Sequence, residues 1–327
     1  MDEKIVFAGG ERMTTEFLLQ NKASGQVFEL SNCATTASWE TNRTGSPGKF
    51  TATLIGPVAI DVGDVVRFSI DGQMQFYGWV FTVSKNRWEE CEITCYDRLR
   101  YLKASASYAF YAQTVGDIIA QIAGDMQLTT GQIEDTGFAI PSLIEQEQTC
   151  LDIIGSAVQQ TLLNTGRVFV FFDDGDGLAL REAANMVSTT VLGESSLLTE
   201  YTDETDIDQQ TYNSVKLSRP NEETGRSDVF IAQDSANIAQ WGLLQLYQTV
   251  DGDVNDAQVK AQALASLEYY NRPMRNLSLS ALGVPGLRAG MMIYINLPEL
   301  QQFVLLEKVA HTWENDVHTM EIETLTL

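Results

Sequence analysis

Three acidic clusters contain the residue types that could bind a metal ion. They are Asp173, Asp174 and Asp176 on one short turn, and the segments 203–208 and 251–256. Hard cations such as Ca²⁺ prefer several carboxylates on a tight turn, but the first cluster lacks EF-hand spacing and its closing glutamate. Aspartate and glycine are favoured at hairpin tips in any case, and the third cluster ends where a helix cap is expected. We therefore predict solvated turns or edges here, and no metal site.

Paired carboxylates could also hydrolyse a glycosidic bond, with one acting as acid and the other as base or nucleophile. Because the chain has 44 Asp and Glu residues, some pair fits this pattern by chance. Gly-x-Ser-x-Gly is absent, and no Cys/His pair stands in a recognisable peptidase context. The two histidines, His311 and His318, fall in the final hairpin, where we expect surface or turn side chains. The sequence predicts no catalytic residue, and its turn glycines predict no phosphate-binding cofactor site.

The four cysteines, Cys33, Cys91, Cys95 and Cys150, are expected to be buried thiols. Cys91 and Cys95 lie four positions apart in a predicted strand, on one face but too far apart for a disulfide. Their spacing also differs from the Cys-x-x-Cys of zinc sites. We predict neither a disulfide nor a metal centre.

The formal net charge of −23 argues against a surface that grips nucleic acid, because phosphate binding depends on lysine and arginine. The charge is compatible with general solubility, and also with a surface past which DNA slides without sticking. The sequence contains no run of about 18 apolar residues, so no transmembrane helix is predicted. The N-terminus lacks the basic and apolar regions of a Sec signal, so we expect a soluble protein made in the cytoplasm without export.

The most informative pattern in the chain is an internal repeat between residues 50–95 and 277–322. When the two segments are aligned without a gap, apolar residues coincide along the candidate strands. Identical residues coincide at Gly56/Gly283, Gly63/Gly290, Gln75/Gln302 and Phe76/Phe303. A duplicated β-domain with a long insertion indicates a symmetric structural part more than an active site.

The repeat and the change of period between its copies predict a mainly β chain with α+β character. Two similar small β-barrel domains are separated by an inserted α/β domain. The predicted bounds are 1–103 for the first barrel, 104–185 for the insertion and 186–327 for the second barrel, built from 186–235 and 275–327 around a helical excursion at 236–274. Strands are expected at 4–8, 15–19 and 26–30, and a hairpin at 65–83 turns at Asp71-Gly72, with Trp79 in the core.

Helix signals mark the insertion and the later excursion. Thr114 and Thr149 each precede an aspartate three residues on and an apolar stripe, which predicts two capped helices. Gly166 ends the second of them. Asn255 is predicted to cap a helix that runs to Tyr270. Hairpins are predicted at 167–182 and 211–232.

A succession of short motifs covers most of the chain. It includes Ile60-Asp-Val-Gly-Asp-Val-Val-Arg-Phe68, Phe76-Tyr-Gly-Trp-Val80, Cys95-Tyr-Asp-Arg-Leu99, Tyr212-Asn-Ser-Val-Lys216, Trp241-Gly-Leu-Leu-Gln245, the segment 261–272 and Leu287-Arg-Ala-Gly290. In this order the motifs resemble the baseplate hub proteins of contractile phage tails, the family of late control protein D and the T4 spike-complex hub. The chain is most similar to the short versions found in defective prophages and tail-like bacteriocins.

The resemblance implies a homotrimer in which each subunit contributes two barrels to a six-barrel ring with quasi-sixfold symmetry. Such a ring would adapt a hexameric tail tube to a trimeric central spike. The implied partners are further copies of the chain, the tube protein, the spike protein and other baseplate proteins, without membrane insertion or stable nucleic-acid binding. The implied location is the baseplate of a virion or tail-like particle. DNA passing through the ring would favour an acidic lumen.

Four aromatic residues are the candidate contacts with the ring or the tube: Phe76, Trp88, Phe303 and Trp313. Some members of the resembling family carry a fused lysozyme or peptidase domain. Because this chain ends just after the second repeat, we expect a structural protein without enzymatic activity.

Two other classes of function stay open on the sequence. A carbohydrate- or cell-wall-binding β-protein should place several aromatic side chains on one exposed face. An acidic glycoside hydrolase should show a deep cleft with a carboxyl group of raised pKa.

Overall fold

The computed structural model describes residues 14–57, 59–87, 90–208, 210–221, 225–250, 252, 254–315 and 317–325. Strands make up 53% of the chain and helices 19%, which confirms the mainly β class. The strand predicted at 4–8 and the candidate contact Trp88 lie outside the described residues.

The N-terminal β unit contains the strands β1 Thr15–Gln20, β2 Val27–Glu29, β3 Ala34–Asn42, β4 Lys49–Ile55, β5 Val65–Ile70, β6 Gln73–Lys85 and β7 Glu90–Tyr96. Their hydrogen-bonded order is β3-β4-β7-β6-β5-β1-β2. Alternation directs one face inward, as in β4, where Phe50, Ala52 and Leu54 are buried. Asp71 and Gly72 both have positive φ, the backbone conformation of a two-residue hairpin turn, and they join β5 to β6 as predicted.

The inserted unit begins after a short 3₁₀ helix at Arg98–Lys103. It contains β8 Ser105–Gln113, α1 Val115–Asp125, β9 Thr130–Ile133, β10 Ile140–Thr149, α2 Cys150–Thr165, β11 Phe169–Asp173 and β12 Leu178–Glu182. Both helices begin at the predicted caps: Thr114 accepts from the Asp117 N–H, and Thr149 accepts from the Asp152 N–H. Gly166 ends α2 in the left-handed conformation, φ 68°. The pairing of β8 with β10 was not foreseen from the sequence.

The chain next forms β13 Val187–Gly193 and β14 Leu198–Asp206, and then a small separate unit. That unit contains β15 Ser214–Asn221, β16 Arg226–Gln233, α3 Ser235–Trp241, β17 Gln245–Thr249 and α4 Asp256–Tyr270. Its sheet has the order β16-β15-β17, and its core joins Val215 and Leu217 to Val259 and Ala263 of α4. The hairpin β15–β16 therefore belongs to this small unit and not to the large sheet, which corrects the prediction that residues 186–235 form part of the second barrel. Alternation reveals a strand but not the sheet that it joins.

The C-terminal β unit is completed by β18 Met274–Leu282, β19 Met292–Leu297, β20 Leu300–Glu314 and β21 Val317–Leu325. Its order, β14-β18-β21-β20-β19-β13, reproduces β3-β4-β7-β6-β5-β1 of the N-terminal unit. Three strands begin where the ungapped repeat places them: Met292 opposite Val65, Leu300 opposite Gln73 and Val317 opposite Glu90. One difference is that β13 runs parallel to β19, whereas β1 runs antiparallel to β5.

A pairing between β20 and β3 joins the two β units in one sheet of 13 strands. The first part of β20 pairs with β19, and residues 308–314 pair with β3. Thr41 contributes to this junction, because its hydroxyl accepts a hydrogen bond from the Ala289 N–H at 2.9 Å. Trp313 of β20 packs into the core of the N-terminal unit.

The cysteines are free thiols, of which Cys91, Cys95 and Cys150 are buried and Cys33 is half-buried. Burial raises the pKa of the first three above the ordinary value of a thiol. A protonated thiol in a core is a poor nucleophile, so these side chains act as small apolar groups.

Candidate functional site

A row of aromatic rings lies on the outward side of β6 and its neighbours. We call it the aromatic strip, and it consists of Tyr77, Trp79, Phe81, Tyr96 and Tyr101. The Trp79 ring lies 5.6 Å from that of Tyr77 and 5.5 Å from that of Tyr101. Phe81 lies 5.5 Å from Tyr96 and 5.9 Å from Tyr101. These rings are half-buried or exposed, so Trp79 belongs to this face and not to the core predicted for it.

Arginine side chains stack on the aromatic strip. The guanidinium of Arg98 lies 5.2 Å from the Tyr77 ring and 5.5 Å from the Trp79 ring, and that of Arg100 lies 5.3 Å from the Phe81 ring. Partly exposed tyrosine, tryptophan and arginine are the residue types enriched at the centres of protein interfaces. The strip is therefore suited to binding, and the sequence interpretation missed it. Alternation of Tyr77, Trp79 and Phe81 along one strand was the signal that could have revealed it.

The candidate contacts from the sequence have different locations. Phe76 is 3% exposed and stacks on Phe50, with ring centroids 5.1 Å apart. Trp313 is 6% exposed and packs against Phe68 at 4.8 Å. Burial leaves these two side chains no surface to offer another protein, so the contact role suggested for them is corrected. Phe303 is 50% exposed and stays a candidate contact.

The two histidines are buried, which corrects the prediction of surface or turn side chains. His311 Nδ1 lies 2.9 Å from His318 Nε2, and His311 Nε2 lies 2.7 Å from the Leu287 carbonyl oxygen. Trp39 stacks on His311 at 5.4 Å, and Trp313 stacks on both imidazoles. These rings form a packed layer at the junction of β3 with β20, so the histidines have a structural role.

Acid should weaken this histidine layer. Burial lowers the pKa of His311 from 6.5 to about 4 and that of His318 to about 3, where the neighbouring His311 adds to the effect. The unfolded chain takes up protons at these sites below pH 6.5 while the folded chain stays neutral. Their contribution to stability is therefore complete above pH 6.5 and falls as the pH decreases toward 4.

We expect the melting temperature of the wild-type protein to fall between pH 6.5 and pH 4 more steeply than that of a His318→Leu variant. Scanning calorimetry across that pH range measures both slopes. The variant loses the hydrogen bond to His311, so its melting temperature at pH 7.5 should be lower. Equal slopes for the two proteins would contradict titration of this layer.

The acidic turn after β11 is held by arginines from both β units. The Asp173 carboxylate accepts from the Arg98 backbone N–H at 2.8 Å and from its guanidinium at 2.7 Å. Arg288 donates to the Asp173 carbonyl oxygen at 2.8 Å, and its guanidinium lies 4.1 Å from the Phe172 ring. We call Arg98, Asp173 and Arg288 the arginine junction, because they connect the inserted unit to both β units.

The rest of this turn satisfies its own backbone. Asp174 Oδ1 accepts from the N–H groups of Asp176 and Gly177 at 2.9 and 2.8 Å. Among the residues that the structure describes, no group of three or more His, Cys, Asp and Glu side chains is placed to hold a metal ion. In the same part of the chain, no helix is long and apolar enough to cross a membrane.

Two carboxyl groups have the raised pKa expected of a glycosidase acid. Burial, followed by the nearby Asp173, raises the pKa of Asp97 to about 8, and burial also raises that of Asp173. The Asp97 oxygens accept from the N–H groups of Gly48 and Leu99 at 2.8 and 3.0 Å, while Asp173 serves the arginine junction. Both carboxyls are enclosed by donors of the fold and do not face a substrate.

The cavities offer weak support for hydrolysis. The groove between α2 and α4, about 400 Å³, has Glu268 as its one carboxylate among the lining residues. A cavity of about 360 Å³ beside β14 has Glu204, Glu307 and Glu323 in its lining. Arg43 binds Glu307 at 2.6 Å, and Lys308 lies 3.9 Å from Glu323. Glu307 and Glu323 therefore take part in ion pairs and are not arranged as an acid and a base directed at one bond.

Comparison with known proteins gives one family and a consistent set of relatives. The YQBQ-like family model matches residues 37–325. The uncharacterized protein YqbQ of Bacillus subtilis (strain 168) is 32% identical over 300 residues, which cover 88% of this chain and 90% of the relative. The phage-like element PBSX protein XkdQ of the same organism is 29% identical over 305 residues, covering 89% and 92%.

A solved structure shows the same fold at low identity. The tail protein from Neisseria meningitidis MC58 superposes with a TM-score of 0.72 at 14% identity, covering 95% of this chain and 96% of that one. With the relative from the phage-like element, this likeness confirms the resemblance to phage tail proteins that the ordered sequence motifs indicated.

Proposed function

The chain belongs to the YQBQ-like family, and from that premise we propose that it is a structural hub protein of a contractile, phage-type tail baseplate. The observation that carries the proposal is the repeated strand order of the two β units within one chain. Three such chains supply six similar units, which is the number needed to present a threefold assembly as a quasi-sixfold ring. Each β unit then corresponds to one small barrel of that ring.

The ring would adapt a hexameric tail tube on one side to a trimeric central spike on the other. A closed ring needs the same kind of contact to recur around its axis, and two like units in one chain provide it. The partners are further copies of this chain, the tube protein, the spike protein and other baseplate proteins. The aromatic strip and the exposed Phe303 are surfaces suited to such contacts.

The proposed role is structural and not enzymatic. The named relative is a protein of a phage-like element, which favours a place in the baseplate of a virion or tail-like particle. The net charge of −23 favours an acidic lumen, because DNA would pass such a wall without being retained.

Mass and particle symmetry test the proposed function. Light scattering after size-exclusion chromatography should give the mass of three 36.2 kDa chains, and electron microscopy should show a threefold ring with six similar lobes. The measurement is repeated with the cognate tube and spike proteins, since either could be needed to close the ring. A stable monomer at micromolar concentration, without a ring in the presence of either protein, would overturn the proposal.

The aromatic strip also favours a second function, binding of cell-wall carbohydrate. Aromatic rings on one face are what such a surface requires, and five are grouped there. Sedimentation with purified peptidoglycan separates the two functions. Retention of the wild-type protein, lost in a Trp79→Ala variant that stays folded, would favour carbohydrate binding over the hub.

A further inference from the structure

The edge of β14 lacks the neighbour that its counterpart has. In the N-terminal unit β3 pairs with β4 on one side and with β20 on the other. In the C-terminal unit β14 pairs with β18 just as β3 pairs with β4. Among the described residues no strand pairs with the other side of β14. An exposed edge of nine residues is a ready template for another strand.

The complementary edge belongs to β6. In the C-terminal unit, β20 pairs on one side with β21 and on the other with β19 and then β3. In the N-terminal unit, β6 pairs with β7 on one side and, over residues 73–79, with β5 on the other. Within the part of the chain that the structure describes, no strand pairs with residues 81–84 on the side of β6 where β5 lies. These residues are the counterpart of the part of β20 that pairs with β3.

We infer that β14 of one copy pairs antiparallel with residues 81–84 of β6 in the next copy of this chain. The pairing repeats between molecules the contact that β3 and β20 make within one molecule. It rests on the proposed ring and specifies the strands that close it. Because β14 and β6 are different surfaces, the contact is heterologous. Repeated heterologous contacts form a closed ring when the rotation from one copy to the next divides a full turn evenly.

The internal junction predicts the register of the new pairing. Gly63 donates to the Val80 carbonyl oxygen at 2.7 Å, as Gly290 donates to that of Leu306 at 2.7 Å. Each of β6 and β20 has a bulge just after that residue. In the sheet Val80 therefore matches Leu306 and Ser84 matches Ala310, one position off the ungapped sequence alignment.

The same comparison places β14 on β3. Glu40 pairs with Lys49 on β4, and Glu204 pairs with Asn276, the repeat counterpart of Lys49, on β18. Since Ala310 lies opposite Glu40 in the internal junction, Ser84 of one copy should lie opposite Glu204 of the next. Lys85 should then lie opposite Asp203, and Val83 opposite Thr205.

Burial of the matching residues supports the inference. Thr41 is 3% exposed because β20 covers it, and Ala289, which donates to it, is 2% exposed. Their counterparts Thr205 and Val62 are exposed, Val62 at 67%. A neighbouring β14 would bring Thr205 to Val62 and cover an apolar side chain that the single chain leaves in water.

Charge also matches across the inferred contact. The β14 strand carries Glu200, Glu204 and Asp206, and also Asp203, which is paired within the chain with Arg275. Lys85 is the last residue of β6, and Arg87 follows it. Opposite charges facing each other across strands favour pairing, and like charges disfavour it. Two acidic β14 strands repel each other, so the acidic edge favours the basic end of β6 over a second β14.

A disulfide between neighbouring copies tests this pairing in the full chain. In the internal junction Arg43 donates to the Glu307 carbonyl oxygen, so the pair Glu40/Ala310 falls at a non-hydrogen-bonded position. At such a position the Cα atoms are about 4.5 Å apart, within disulfide range. Ser84 and Glu204 are both exposed in the single chain, so cysteines there should leave the fold intact.

Oxidation of a Ser84→Cys/Glu204→Cys variant should give covalent trimers as the main product on non-reducing gels. An equal mixture of the two single variants should give disulfide-linked dimers and nothing larger. The wild-type protein, whose cysteines are buried or half-buried, is the control for background oxidation. A Ser84→Cys/Thr202→Cys variant checks the register, since Thr202 lies two residues off the inferred partner.

The outcomes separate this inference from the proposed function. Cross-linked trimers from the Glu204 variant, with less product from the Thr202 variant, support the pairing. An uncross-linked protein that still has the mass of a trimer would overturn the pairing and leave the hub in place. Absence of any assembly by mass, with the cognate tube and spike proteins present, would overturn both.

Discussion

Replacement of Asp173 by alanine is expected to lower the free energy of unfolding by about 3–5 kcal/mol, because removing one partner leaves buried charge uncompensated. The Asp173 side chain is 1% exposed and that of Arg98 12% exposed. The carboxylate accepts from Arg98 twice and from the Gly175 N–H at 2.8 Å. Without the Asp173 carboxylate, the largely buried Arg98 guanidinium loses its main anionic partner.

Asp176→Ala is the matched control, because Asp176 lies on the same turn and is exposed. Its loss should change the free energy of unfolding by no more than about 0.5 kcal/mol. Urea denaturation followed by tryptophan fluorescence and by circular dichroism measures both variants. If Asp173→Ala were as stable as the control, the arginine junction would not be holding the units together.

Phe76→Ala should cost about 3–5 kcal/mol of unfolding free energy, the range for truncation of a buried phenylalanine. Phe76 is 3% exposed and stacks on Phe50, whose ring also lies 5.2 Å from that of Phe68. Truncation leaves a cavity among rings that neighbouring strands hold in place, so little relaxation can fill it.

Phe303→Ala provides the contrast, because Phe303 aligns with Phe76 in the ungapped sequence repeat but lies opposite Tyr294 in the sheet, as Tyr77 lies opposite Arg67. Phe303 is 50% exposed, so the same truncation should cost no more than about 1 kcal/mol. Its effect should fall on association with another tail protein, measured by co-purification with the tube or spike. Similar losses of stability in the two variants would contradict the different environments of these aligned phenylalanines.

Local rules explain why much of the fold could be predicted from the sequence. The caps at Thr114, Thr149 and Asn255 each depend on a side chain and a backbone N–H only three residues away. The repeat predicted where β19, β20 and β21 begin, and in β19 and β21 the ungapped alignment also preserves most of the alternation of inward and outward residues. The capping hydrogen bond and the alternation within a strand each depend only on residues that are close in sequence.

Features that depend on distant partners could not be predicted in this way. The strand β3 contains small and polar residues, and its buried Thr41 is explained only by β20 packing over it. The hairpin β15–β16 has ordinary alternation, yet it pairs with β17 and not with the large sheet. Sequence pattern shows that a strand forms, while its neighbour is decided by the rest of the chain.

The candidate site shows the same limit. Phe76 and Phe303 align in the ungapped sequence repeat, but a bulge shifts β6 by one residue relative to β20. In the sheet Phe303 therefore corresponds to the outward Tyr77, and its ring is exposed while that of Phe76 is buried. His311 and His318 are predicted to be surface or turn side chains, yet both are buried, and Trp39 from the other β unit stacks on His311. The aromatic strip combines rings from β6, from β7 and from the 3₁₀ helix that follows β7, and no short stretch of sequence contains all of them.

The pairing of β3 with β20 has a consequence for how the chain folds. Thr41 and Val309, which it brings together, are 268 positions apart. Contacts of such separation raise the contact order and slow folding, since a long loop must close before they form. During synthesis β3 leaves the ribosome early, but β20 can cover it only after nearly the whole chain has been made. Until then its edge is open to pairing with other nascent chains, so the ribosome-bound intermediate is the stage most exposed to aggregation.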